Sequence, residues 1–197
     1  MTKTKKTKII ACVILLLMAV ITILLIVLSI KTTYHGIDFN KPSRIIVYYD
    51  NETTNAVFEQ DDERYNKIYN SILDGCKQPI LPALLSNKLF KDVKIVENKT
   101  TEIDFSGITI SFVYDLPQAV SYKNKVYTNN GETYWYSALI FRVPNNSKYQ
   151  YNQIAIIPPE NSSYYIGQYN YTLRYEIYSN FNSTFKLVNS ILKNQAN

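Results

Sequence analysis

The sequence predicts an α+β domain with a largely antiparallel sheet, carried behind a single N-terminal transmembrane helix. Three observations lead there. An uncharged run of 22 residues lies between Lys8 and Lys31, two later segments repeat apolar residues at helical spacing, and the stretches between those segments alternate or crowd β-branched and aromatic residues. Helices segregated from strands in this way describe an α+β arrangement.

The uncharged run, IIACVILLLMAVITILLIVLSI, is interrupted by Cys12, Thr22 and Ser29 alone. As a helix it measures about 33 Å at 1.5 Å per residue, enough for a hydrocarbon core of roughly 30 Å. Lys3, Lys5, Lys6 and Lys8 precede it and Lys31 follows, so the positive-inside rule keeps the short head in the cytoplasm. The apolar region exceeds the ~7–15 residues of a cleavable signal and has no A-x-A-like exit, which reads as an uncleaved signal anchor. The expected organisation is a cytoplasmic head at 1–8, a bilayer-spanning anchor at 9–30, a stalk at 31–43 and an extracytoplasmic domain at 44–197.

Within that domain, Arg44–Tyr49 (RIIVYY) reads as a first strand. Tyr65, Ile68, Tyr69, Ile72, Leu73 and Cys76 fall on one stripe of an amphipathic helix, capped by Asp61 or a neighbour. Pro79 and Pro82 break the chain before a short helix over 83–90, and strands begin from Val93. Ile108, Ile110, Phe112 and Tyr114 alternate with Thr109, Ser111, Val113 and Asp115, which puts one face of a strand in the core. Thr133–Val143 is apolar on both faces and belongs at the centre of the sheet. Two more strands are expected near 151–157, ended by Pro158-Pro159, and 164–178. A C-terminal helix follows, with Phe185, Val188, Ile191 and Leu192 on its apolar side and Asn182 or Ser183 as its cap.

The net charge of +5 has no bearing on nucleic acid, because the head carries its excess: past residue 30 the chain holds 17 basic against 16 acidic residues. Five scattered glycines leave no phosphate-binding loop, and two cysteines with one histidine make no zinc or iron–sulfur motif, so no cofactor or metal is expected. Cys12 lies in the expected span and Cys76 is alone outside, so no internal disulfide joins them. With the Asn, Lys, Ile and Tyr bias of AT-rich codons, this points to the envelope of a low-GC Gram-positive bacterium. Six N-x-[ST] triplets, beginning at Asn51, Asn98, Asn145, Asn161, Asn170 and Asn182, follow from the asparagine content.

No nucleophilic constellation emerges. Cys76 sits on a helix stripe and His35 in the stalk, far from the strand-borne cysteine of a sortase-like site. Ser190–Lys193 matches S-x-x-K without its companion motifs. The acids Glu59, Asp61, Asp62 and Glu63 suit a helix N-terminus and lack a calcium-loop pattern. Asp50, Glu52, Asp104, Asp115 and Glu132 lie near strand ends and could supply a carboxylate pair for glycan cleavage. Tyr134, Tyr136, Tyr164, Tyr165, Tyr169, Tyr171 and Tyr175 form a candidate binding face on the late strands, unless they serve as ordinary strand residues. The functional expectation is a non-enzymatic envelope protein that binds a protein partner or a wall ligand. Its alternatives are a glycan-active enzyme with two carboxylates and a subunit of a secretion or surface complex.

Overall fold

The computed structural model describes residues 3–28, 31–33, 39–49, 54–79, 94–122, 125–129, 131–148, 150–163, 165–167 and 170–195. The chain divides into two units, one of Met1–Thr32 with Gln78–Phe90, the other of Thr33–Lys77 with Lys91–Asn197. The fold is α+β with three described helices and a largely antiparallel sheet.

In the first unit α1 (Lys3–Leu28) dominates. Its described side chains, Ile10 to Leu24, are all exposed, and they cover about 22 Å at 1.5 Å per residue. Among the described residues no helix is long and apolar enough to cross a membrane. Strands β1 (Lys31–Thr33) and β4 (Lys77–Pro79) pair with each other. The short helix expected over 83–90 lies outside the described residues.

The second unit is built on a seven-stranded sheet ordered β3-β2-β6-β11-β12-β13-β5, every neighbouring pair antiparallel. Its strands are β2 (Arg44–Tyr49), β3 (Thr54–Glu59), β5 (Lys94–Glu102), β6 (Ile108–Ala119), β11 (Trp135–Val143), β12 (Gln150–Ile157) and β13 (Asn170–Ser179). Short pairs β7–β8 (Ser121–Tyr122, Lys125–Val126) and β9–β10 (Thr128–Asn129, Glu132–Thr133) fill the excursion between β6 and β11. As the two-faced apolar pattern requires, β11 occupies the middle of the sheet. Edge strand β3 (TNAVFE) has no clear periodicity and was not expected; it forms because β2 offers it a free edge.

One face of the sheet is covered by α2 (Glu63–Gly75) and α3 (Asn182–Gln195). Asp62, not Asp61, caps α2, accepting the Arg64 amide proton at Oδ1 over 2.7 Å. At the start of α3 the Asn180 side chain does the same for the Asn182 amide at 3.0 Å, so the capping oxygen lies ahead of the expected Asn182 or Ser183. Tyr65, Ile68 and Ile72 of the α2 stripe are fully buried against Ile45, Val47, Ile110 and Phe112 of the sheet. Phe141 centres an aromatic cluster, with ring centroids 4.7 Å from Phe112, 5.6 Å from Phe39 and 6.3 Å from Phe181.

Residues 39–43, which the sequence assigns to a stalk over 31–43, belong to the fold. Phe39 and Pro42 are buried, and three tyrosine hydroxyls donate to the strap's carbonyls: Tyr69 to Phe39 at 3.0 Å, Tyr114 to Asn40 at 2.9 Å, and Tyr65 to Pro42. A buried strap outside a sheet ladder must find partners for its carbonyls, and tyrosine brings a hydroxyl on an apolar body. Burial pushes the Tyr65 hydroxyl up to about 12 and the Tyr114 hydroxyl well above its ordinary value, so both remain donors at neutral pH.

Candidate functional site

Among the described residues of the second unit no helix covers the opposite face of the sheet, yet several residues on it are buried. The cause is the link from β5 to β6. These two strands are separated by β13, β12 and β11, and four antiparallel steps make them parallel, so residues 103–107 must return across the sheet. Phe105 is buried on the way, edge-on to Tyr48 at 5.1 Å. Gly107, with φ of 90°, turns the chain into β6, a conformation that costs glycine little.

Arg142 on β11 clamps the link. Its guanidinium lies 2.8 Å from an Asp104 carboxylate oxygen and donates to Ser106 Oγ at 2.9 Å, while Asp104 accepts the Ser106 amide proton at 2.8 Å. The hydrogen bonds from Ser106, then the charge of Arg142, hold the Asp104 carboxyl below its ordinary 3.8. Because that carboxyl is depressed in the folded chain, its contribution is complete above about pH 4 and is lost as pH falls through the lowered value. Protection of the Phe105–Gly107 amides, taken relative to the intrinsic exchange rate at each pH, is therefore expected to fall below pH 3.8 in the native chain and to be low at neutral pH in Arg142→Ala. Exchange in that variant as slow as in the native chain would show that the clamp holds nothing.

Beside this link lies a groove of about 470 Å³. Ile140 and Ala155 give it an apolar floor, Tyr151 and Tyr171 contribute aromatic walls, and Glu102, Asp104, Arg142 and Gln153 stand around it. The Tyr171 hydroxyl donates to Gln153 Oε1 at 3.4 Å. Thr109, paired across the sheet with Arg142, also lines the groove; its Oγ1 is buried and, among the described residues, has no hydrogen-bond partner. Leaving such a hydroxyl unmet costs about 1–3 kcal/mol. Thr109→Val is accordingly expected to leave the thermal midpoint unchanged or to raise stability by up to about 1 kcal/mol.

Of the tyrosines expected as one binding face, those described do not share a surface. Tyr136 and Tyr175 alternate toward the helix-covered core, where Tyr136 packs edge-on to Tyr114 and the Tyr175 hydroxyl donates to the Ser121 carbonyl at 3.1 Å. Burial raises the Tyr175 hydroxyl well above its ordinary value. Tyr134 packs half-buried at the margin of that core, edge-on to Tyr127. Tyr171 joins Ile140, Ala155 and Ile157 on the other face, where the pairing of β13 with β5 shifts register between Tyr171 and Leu173. Tyr165 is half-buried, and Tyr164 and Tyr169 lie outside the described residues.

Of the described strand-end acids that the sequence offered, Asp104 alone reaches the groove. Asp115 pairs with Arg44 at 3.5 Å, Glu132 is exposed, and Asp50 and Glu52 lie outside the described residues, as does His35. Asp62 is occupied by its cap and by Arg64 at 2.6 Å, and among the described residues no group of three His, Cys, Asp or Glu could hold a metal ion. Cys76 is buried, which pushes its thiol well above the ordinary range, away from the thiolate that a nucleophile requires. The sequence marked neither Thr109 nor Gln153. No protein-family model, no curated protein and no solved structure matches the chain.

Proposed function

We propose that this chain is a single-span envelope protein of a low-GC Gram-positive bacterium, with residues 9–30 in the bilayer, the head inside and the α+β domain outside. The domain works by binding, through the groove on the sheet face opposite α2 and α3. What carries the anchoring is α1: its large apolar side chains from Ile10 to Leu24 are 51% to 69% exposed, and between those two residues only Cys12 and Thr22 interrupt the apolar run. A helix apolar all round needs a surrounding that is apolar too, and with its flanks the uncharged run reaches the length of a bilayer core.

Binding is favoured over glycan cleavage by the state of Asp104. Glycosidases need two carboxyl groups free to act on the substrate, whereas of the two described carboxylates lining the groove Asp104 is taken up by Arg142 at 2.8 Å and by the Ser106 amide at 2.8 Å. Membrane fractionation tests the anchoring. The full chain is expected to stay with the bilayer through alkaline carbonate extraction; release into the supernatant would overturn it.

A further inference from the structure

We propose that the groove beside residues 103–107 takes a neutral oligosaccharide, which deepens the binding function proposed above and rests on it. Charge removes the other common ligands. Arg142 is the one cation lining the groove among the described residues, and its guanidinium is already engaged by Asp104 and Ser106. Glu102 and Asp104 then leave the rim negative, so a phosphate or carboxylate would enter against like charge with no unengaged cation among the described lining residues to balance it.

A sugar meets what remains. Its hydroxyls donate to the rim carboxylates, and they both donate to and accept from the Thr109 hydroxyl and the Gln153 amide. The Thr109 hydroxyl is the sharpest of these features, being a buried polar group that has no partner among the described residues. The apolar C–H face of a pyranose ring suits the tyrosine walls and the Ile140 floor. The volume of about 470 Å³ is within the range of small-molecule sites.

The test is calorimetric titration of the full-length chain in lipid nanodiscs with N-acetylglucosamine trimer, cellotriose and maltotriose, beside inorganic phosphate and 1,5-diaminopentane as charged probes. Saturable binding of at least one trisaccharide is expected, weakened about five- to tenfold by Thr109→Val, the loss of one hydrogen bond, and comparably by Gln153→Ala. Thr109→Val keeps the shape of the side chain and Gln153 is exposed, so both variants keep the fold. Trisaccharide binding indifferent to both substitutions would place the sugar elsewhere and overturn the proposal. Diaminopentane or phosphate binding that depends on Thr109 and Gln153, without trisaccharide binding, would overturn the ligand class and leave the groove as a binding site. No binding that depends on either residue, with any probe, would overturn the groove as well. Release of reducing ends from a bound trisaccharide, abolished in Glu102→Gln, would replace binding by hydrolysis.

Discussion

Phe39→Ala is expected to cost the folded domain about 3–4 kcal/mol, the scale of a phenylalanine removed from a packed core. The ring is 9% exposed and packs edge-on against Phe141, which itself touches Phe112 and Phe181. Removing it opens a cavity beside the aromatic cluster and loosens the strap whose carbonyls Tyr69, Tyr114 and Tyr65 hold. With a urea slope of about 1–3 kcal/mol per molar, the unfolding midpoint should fall by roughly 1–4 M at unchanged slope. A midpoint that stays where it is would put residues 39–43 outside the cooperative fold, as a stalk.

Gly75→Ala should be almost as damaging, at about 2–3 kcal/mol for overpacking, although glycine to alanine in a helix ordinarily gains stability. Gly75 closes α2 where it meets the approach to α3, and its carbonyl accepts the Asn180 amide proton at 2.9 Å. A Cβ built there would lie 2.4 Å and 2.8 Å from two Phe181 ring carbons and 3.0 Å from the Asn180 carbonyl oxygen. Phe181 is fully buried and has little room to retreat, so the two helices must part. The bond between Ser71 and Thr184, whose hydroxyl oxygens are 2.9 Å apart, would stretch with them. Thermal unfolding of the variant checks this; a midpoint equal to or above the native one would mean that the contact relaxes freely.

Local pattern carried much of the architecture. The helical spacing of Tyr65 to Cys76, the alternation of Ile108 to Tyr114 and the two-faced run through Val143 each report a face, and faces depend on neighbours in sequence. Topology does not. The five residues 103–107 have the length of a hairpin loop, and nothing local reveals that they join parallel strands across three others. The groove depends on that crossing, so Thr109 reads in sequence as the solvent-facing partner of Ile108 and Ile110. The tyrosines misled for a related reason: spacing groups Tyr171 with Tyr175 on one face, while the register shift against β5 separates them. Residue type could not separate a tyrosine that binds a ligand from one that satisfies a buried carbonyl, as Tyr69 and Tyr114 do.

The topology of the chain in the membrane is the most direct test of the central claim. A cysteine is placed at Thr4 or at exposed Ser183 in a Cys12→Ala background, where buried Cys76 stays silent, and intact bacterial cells are treated with a membrane-impermeant maleimide. The Ser183→Cys chain should be labelled in intact cells and the Thr4→Cys chain only after lysis. Labelling of Ser183→Cys that requires lysis would put the domain inside the cell and contradict the account.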